Sequence, residues 1–349
     1  MATVPLLSVR RLRVHYPKRG LLPWNRPGLV RAIDDLHFDL QPGETLGIVG
    51  ESGCGKSTLA RTLVGLQAAT TGSIRYGNQE LIGLSRQDWK PLRHEIQLVF
   101  QDPLGSLSPK MKVADIIAEP LKALMPQLGA EQRRAKALAL MERVGLGPEI
   151  ADRKPAELSG GQGQRVGIAR ALIVEPKLLI CDEPVSALDV SIQAQIVNLL
   201  ADLARERQLA MIFIAHDLAV VRQLSNRVLV MYLGKVMEQG RAEDVYARPR
   251  HPYTRALLEA APVIDLDAVT TAAEEAGGEA SADRPAPAVK RKRRRLLGGD
   301  SPDPAQPPMG CVFHPRCPLV EHACVQAVPL LRRVDGEQYA ACHFVAAGG

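Results

Sequence analysis

The chain has 349 residues, of which 46% are apolar and 23% charged, enough for one large domain with an appendage or for two modest domains. Aromatic residues make up only 4%, which argues against a stacking surface for single-stranded nucleic acid. The formal charge of +6 traces to one run, Lys290–Arg295 ("KRKRRR"), and the remainder is near neutral.

No stretch approaches the roughly eighteen consecutive apolar residues of a membrane span. The opening "MATVPLLSVRRLRVHYP" lacks the apolar core and small-residue cleavage site of a secretory signal. The six cysteines are therefore expected in a reducing cytosol, where clustered thiols point to a metal more often than to disulfides.

In chain order, "SVRRLRVHY" and "AIDDLHFDL" carry the alternation and β-branching of half-buried strands. "TLGIVG" (45–50) is a short apolar run ending in glycine, the pattern of a buried strand that feeds a tight turn. From about 103 to 175 the spacing becomes helical. "EQRRAKALALMERVGL" places apolar residues three and four apart, with Gly145 as the stop. "KLLICDE" and "AMIFIAHD" read as central parallel strands with polar residues at their carboxyl ends, where α/β sheets place ligands. After about residue 262, "AAEEAGGEASADRPAPAVKRKRRR" is rich in Ala, Gly, Pro and charge without apolar periodicity, the composition of a linker. A compact cysteine-bearing segment follows.

"GESGCGKST" (50–58) fits G-x-x-x-x-G-K-[ST] directly after a strand. Gly50, Gly53 and Gly55 allow the backbone to curl until successive N–H groups face a phosphate. Glu51, Ser52, Cys54 and Thr58 complete the loop, with Cys54 read as a small filler. Lys56 is placed to reach the β- and γ-phosphates and Ser57 to offer its hydroxyl to Mg²⁺. In "LLICDEP", Asp182 is the expected partner of that magnesium site, and Glu183 the group that polarises the attacking water. His216, closing a central strand, is placed to bond the γ-phosphate and orient the water.

"LSGGQ" (158–162) leads into the helical "QRVGIARAL", making a helix amino terminus able to bind phosphate through its backbone and the Ser159 hydroxyl. One phosphate loop together with one such segment resembles the ATP-binding subunits of ABC transporters. The resemblance implies an α/β fold: a phosphate-loop core sheet, an antiparallel β subdomain and a helical signature subdomain. It also implies a head-to-tail pair of cassettes, in which Ser159, Gly160, Gly161 and Gln162 close over the partner's nucleotide. By the same resemblance Tyr16 matches the aromatic that stacks on adenine. Gln101 in "LVFQDP" matches the loop glutamine that contacts Mg²⁺ and the attacking water. Asp189 in "SALD" matches the acidic member of the segment that crosses the dimer interface. The motifs cover roughly residues 8–245, and no catalytic position is degenerate. Gly163 departs from the family, many members of which carry Arg there; a change in helix propensity and surface charge is expected.

"FQDPLGSLSPKM", "CDEPVSALDVSIQAQIVNLL", "HDLAVVRQLSNRVLVMYLGKVMEQG", "HPYTRALLEAAP" and "GCVFHPRCP" resemble the oligopeptide/dipeptide importer branch more narrowly. That branch implies an extracytoplasmic substrate-binding protein, two transmembrane permeases and a second, related ATPase subunit. It places the chain at the cytoplasmic face of the bacterial inner membrane and keeps it away from the cargo. The branch also includes importers of nickel, glutathione and antimicrobial peptides. The main alternative of another class is a soluble ATPase of this type acting on DNA or ribosomes. The single cassette and uninterrupted helical region disfavour it, and no nucleic-acid partner is expected. The basic run is read as solvated linker near anionic lipid rather than as a nucleic-acid patch.

The expected organisation is a cassette at 1–262, a basic linker at 263–293 and a cysteine-rich extension at 294–349. Cys311, Cys317, Cys324 and Cys342 are separated by five, six and seventeen residues. Four-cysteine zinc sites usually contain close pairs, and none is present. Wider spacing is compatible with a [4Fe–4S] cluster, so iron–sulfur, Zn²⁺ and unligated thiols stay open on spacing alone. The resemblance to the importer branch's carboxyl-terminal extension favours [4Fe–4S]. A metal there would supply folding energy to a segment too small for its own core.

Overall fold

The computed structural model describes residues 4–17, 28–186, 188–260 and 300–345. The linker expected at 263–293 and the whole of the basic run Lys290–Arg295 lie outside the described residues.

Two sheets organise the chain. β1 (Leu7–Pro17) and β2 (Leu29–Leu40) pair antiparallel and are joined by β4 (Thr71–Tyr76) and β5 (Gln79–Glu80) in the order β2-β1-β4-β5. Leu7, Val9, Leu12 and Val14 are fully buried along β1. The step from Val9 to Leu12 breaks strict alternation, and the structure accommodates it with a bulge in which Arg11 takes φ 48°.

The larger sheet has the order β11-β12-β10-β9-β3-β8-β7-β6. Its centre is parallel: β6 (Ile96–Val99), β7 (Leu178–Asp182), β8 (Ala210–Ala215), β3 (Thr45–Val49) and β9 (Arg227–Tyr232). Both faces are covered, which is why these strands read as continuous apolar runs. Leu178 and Ile180 of β7 join the core shared with the antiparallel sheet, while Leu179 and Cys181 face the core of the helical side.

The helical region expected between 103 and 175 contains α3 (Val113–Leu124), α4 (Ala130–Arg143) and α5 (Gly160–Leu172). Gly145 follows α4 with φ 72°, the left-handed stop its sequence predicts.

The cysteine-bearing segment is built onto the core sheet. β10 (Lys235–Arg241) pairs antiparallel with β12 (Gln338–Ala340), which pairs with β11 (Arg332–Asp335). Phe313 is fully buried, its ring 5.4 Å from Tyr232, 5.2 Å from Tyr253 and 5.8 Å from His251. Beneath the added strands Glu238 is fully buried; its carboxylate accepts hydrogen bonds from the Arg250 and His251 N–H groups at 2.8 Å and from Gln338 at 2.7 Å. Among the described residues no helix is long and apolar enough to cross a membrane.

Candidate active site

Three adjacent strands end at one sheet edge. Val49 of β3 lies beside Ala215 of β8, and Ile214 of β8 lies beside Asp182 of β7. The loops leaving these ends carry the phosphate loop, Glu183 and His216, so pairing of the parallel strands assembles residues more than a hundred positions apart.

The loop's glycines answer to close approaches. A Cβ on Gly50 would lie 2.2 Å from the Met231 carbonyl oxygen, and one on Gly55, where φ is 106°, would lie 2.1 Å from that of Ala32. Both are shorter than a real Cβ contact, so only glycine lets the loop pass between these strands. Gly55 hands the chain to α1 (Lys56–Leu63), whose amino terminus faces the loop.

Lys56 is buried at 4% exposure. Its ammonium donates to the carbonyls of Gly50 at 2.7 Å and Glu51 at 3.0 Å, and lies 3.7 Å from Glu183 Oε1. The other oxygen of Glu183 accepts from Gln101 Nε2 at 2.9 Å. Glu183 has φ 46°, a left-handed conformation costing a non-glycine residue about 1–3 kcal/mol and concentrated at functional sites. Ser57 Oγ donates to Asp182 Oδ1 at 2.9 Å. Burial pushes the Asp182 carboxyl up, opposed by the Ser57 hydrogen bond and aggravated by the Glu183 charge. A buried carboxylate beside a hydroxyl is a hard-oxygen set that fits a divalent cation.

Tyr16, Val30, Ala32, Lys56, Ser57 and Thr58 line a cleft of about 310 Å³ that also reaches Ser52, Gly53, Gly55, Gln101, Glu183 and Pro304. Tyr16, Gln101 and the phosphate loop, drawn from separate regions of the sequence, thus share one cleft. His216 is exposed and borders a second, small cavity together with Glu183 and Asp217. Cys54 is buried at 3%, and burial pushes its thiol up despite nearby Lys56, as suits a filler.

The signature segment stands apart from this cleft. Ser159 caps α5 in a reciprocal box: its hydroxyl accepts from the Gln162 N–H at 3.3 Å, and Gln162 Oε1 accepts from the Ser159 N–H at 3.0 Å. Ser159 and Gly160 are exposed, while Gly161 packs toward Ile192. Asp189 is exposed at the start of α6 (Val190–Arg207), and Ala187 of the same segment lies outside the described residues. Gly163 differs from its sequence reading. It is buried, and a Cβ there would lie 2.6 Å from Leu104 Cδ2, so the position governs packing of α5 against the Gln101 loop rather than surface charge.

All six cysteines are free thiols. Burial pushes the Cys311 thiol up to about 11, with Cys324, Cys317 and Cys342 adding to the rise. Cys317 and Cys342 are raised likewise by burial and by neighbouring cysteines. Cys311, Cys317 and Cys342 thus each feel the charge of a neighbouring thiol. Among the described residues, however, no three His, Cys, Asp or Glu side chains are placed to hold a metal ion. The donor chemistry fits a thiolate-bound metal while the placement does not converge on one, which leaves the expected [4Fe–4S] cluster and its Zn²⁺ alternative without support from geometry.

Several residues at the site had no role in the sequence reading. Val30, Ala32 and Pro304 line the cleft, the Tyr253 hydroxyl accepts from the Glu51 N–H at 2.9 Å, and Arg316 pairs with Glu51 at 2.7 Å. Only the "HPYT" and "FHPRCP" stretches could have flagged the last two, and neither announces its target.

A phosphate loop and an acidic strand end on one sheet, with a helix-capping signature at α5, define the class as a nucleotide-hydrolysing cassette. The ABC transporter family model matches residues 33–186, and that of the oligopeptide/dipeptide transporter carboxyl-terminal region matches 237–284 and 281–324. The chain is 49% identical over 328 residues to the oligopeptide transport ATP-binding protein OppF of Salmonella typhimurium, covering 93% of this chain and 92% of that protein. OppF of Haemophilus influenzae is 48% identical over 340 residues, covering 97% and 96%. Among solved structures, a dimeric ATP-binding cassette in a post-hydrolysis state bound to ADP and Pi matches with TM-score 0.62 and 29% identity, over 68% of this chain and 98% of that one. The cbiO1 protein from Clostridium perfringens, part of an ABC transporter complex, matches with TM-score 0.60 and 30% identity, over 70% and 91%. The chain belongs to the ATP-binding subunits of ABC transporters, and it is an ATPase of that family.

Proposed function

We propose that this subunit hydrolyses ATP to power an importer of oligopeptides or dipeptides, working at the cytoplasmic face of the bacterial inner membrane. Likeness to OppF along nearly the whole chain supports the cargo class, and the match to the oligopeptide/dipeptide transporter carboxyl-terminal region supports the branch. Its partners are two permeases, an extracytoplasmic binding protein and a second, paralogous ATPase subunit.

The observation that carries the mechanism is Glu183 held between Lys56 and Gln101 at the mouth of the cleft. The phosphate-loop N–H groups and Lys56 bind the β- and γ-phosphates, and Tyr16 packs on the adenine. Ser57 and Asp182 would hold magnesium, with Gln101 completing the set, and the cation when bound neutralises triphosphate charge. Water attacks the γ-phosphorus in line. Glu183 takes its proton, His216 orients the attack, and the bond to the ADP oxygen breaks. Two cassettes pair head to tail, so that Ser159, Gly160, Gly161 and Gln162 of one bind the γ-phosphate held by the other, with Asp189 at the seam. The exposure of Ser159 and its absence from the lining of the cis cleft support that arrangement. ATP closes the pair and hydrolysis opens it, moving the permeases through the Gln101 loop.

Cys311, Cys317, Cys324 and Cys342 are read as ligands of a [4Fe–4S] cluster that folds the extension on the strength of the segment's family alone, since their placement does not converge on a metal among the described residues. No step of hydrolysis runs through it.

The test is Glu183→Gln in the assembled transporter. ATP still binds, and hydrolysis falls by about 10²–10⁴-fold, the usual worth of a general base. Hydrolysis at the wild-type rate would remove Glu183 from its role.

A further inference from the structure

The carboxyl-terminal extension reaches the phosphate loop through one buried side chain. Arg316 lies between Phe313 and Cys317, and its side chain is 7% exposed. Its Nη1 donates to Glu51 Oε2 at 2.7 Å and to the Tyr232 hydroxyl at 3.2 Å, and the guanidinium carbon lies 5.8 Å from the Tyr232 ring centroid. Glu51 is the second residue of the phosphate loop. Its N–H donates to the Tyr253 hydroxyl, and its carbonyl accepts from Lys56. Glu51 is thereby held at three points: its carboxylate Oε2 by the extension, its N–H by α9 (Pro252–Ala260), and its carbonyl by the catalytic lysine.

This arrangement settles an electrostatic difficulty. A loop that must accept a triphosphate carries a carboxylate of its own, 24% exposed. Unpaired, that carboxylate would repel the incoming anion and compete for Lys56, and at such short range the repulsion is only partly screened. A guanidinium keeps its charge in a protein, and the bonds from Arg316 to Glu51 and Tyr232 hold that charge against the carboxylate. The aromatic cluster of Phe313, Tyr232 and Tyr253 fixes its backbone. A second contact from the same segment is independent of the first: the Pro304 carbonyl accepts from the Arg31 N–H at 3.3 Å, and Pro304 lines the nucleotide cleft.

We infer that Arg316 is a positioning residue for ATP binding in its own subunit, neutralising and orienting Glu51 so that the phosphate loop accepts the triphosphate. The extension is therefore part of the nucleotide site. This rests on the nucleotide-site reading of the cleft and is independent of the cargo.

Equilibrium binding of Mg·ATP to the full-length chain, made in a Glu183→Gln background so that nothing is hydrolysed, tests it. Arg316→Gln is expected to weaken ATP about tenfold, equal to about 1.4 kcal/mol. Arg316→Lys, which keeps the charge, stays within about threefold of the parent, a margin of about 0.65 kcal/mol. Arg316→Gln combined with Glu51→Gln recovers most of the loss, because the unpaired carboxylate is gone. In turnover measurements on the parent with Glu183 restored, the Arg316→Gln loss falls on KM for ATP rather than on kcat. A residue that only docks the extension would lower thermal stability without this charge-dependent pattern. ATP affinity of folded Arg316→Gln within twofold of the parent, or no recovery in the double variant, overturns the inference. Should Arg316→Gln fail to fold, a tenfold loss in Arg316→Lys overturns it equally. Loss of ATP binding by the parent itself would instead refute the nucleotide-site reading.

Discussion

The phosphate loop and the cysteine-bearing extension meet at Glu51, yet they are held by opposite means. The loop is positioned by backbone: glycines that tolerate 2.1–2.2 Å virtual contacts, a strand before it and a helix after it. The extension is positioned by pairing of β12 on β10 and by its own side chains reaching distant partners, namely Phe313 in its aromatic cluster, Gln338 on buried Glu238, and Arg316 on Glu51. A backbone-built site is local and writes a fixed spacing into the sequence. A docked segment depends on long-range partners, so its loss should disturb the nucleotide site by degrees rather than abolish it.

That contrast can be broken most forcefully at Lys56. Lys56→Ala should eliminate measurable ATP hydrolysis, a loss of more than about 10³-fold if phosphate charge stabilisation is its task; retained turnover would dismantle the phosphate-loop half of the comparison. Next in size is Phe313→Ala, which should destabilise docking of the extension by about 3–5 kcal/mol, as for other buried aromatic truncations. Proteolysis within the extension would report it, and unchanged protease resistance would mean that the ring is not the anchor.

A pH experiment separates the regions more gently. Burial pulls the buried His251 imidazole down to about 3, with a hydrogen bond at the Ala341 backbone working the other way. The folded state therefore keeps His251 neutral, whereas the unfolded chain takes a proton below about 6.5. Its contribution is complete above that value and is lost as pH falls toward 3, at most about 1.4 kcal/mol per pH unit. Glu238, pushed up by burial, works in the opposite sense above the ordinary carboxylate range, so the comparison needs a single-site variant. His251→Asn should flatten the loss of stability between pH 6.5 and 5, and an unchanged slope would count against it. The smallest effect belongs to Gly163→Ala. The gain in helix propensity, about 1 kcal/mol, is set against a shift of the flexible end of Leu104, and ATPase activity should change by less than about threefold.

The same contrast explains what could be read in advance. β3, β7 and β8 with their polar ends were legible because buried parallel strands are continuous apolar runs, and Lys56, Asp182 and Glu183 because a phosphate loop needs an acidic strand end, whereas Gln101 was reached only through the family resemblance. The extension was legible only as four cysteines. Pairing of β12 with β10 joins residues about a hundred positions apart, and no local pattern encodes it. Arg316 lies in "FHPRCP", which names no partner, although its contacts with Glu51 and Tyr232 come from distant parts of the chain. Gly163 read as surface because helix propensity is local, while the Leu104 that covers it comes from another loop. Metal ligation rests on the clustering of the thiols and on the resemblance of their segment to the importer branch's extension; their positions do not converge on a metal among the described residues, so anaerobic iron assay and absorption of the purified protein decide it.

The central claim, that this subunit converts ATP into peptide import, is tested most directly by ATP hydrolysis in proteoliposomes carrying the permeases, the partner ATPase and this chain. Adding peptide-loaded binding protein should stimulate hydrolysis and drive peptide uptake, and both should vanish with Glu183→Gln. Hydrolysis indifferent to peptide and binding protein, or uptake that survives Glu183→Gln, would contradict it.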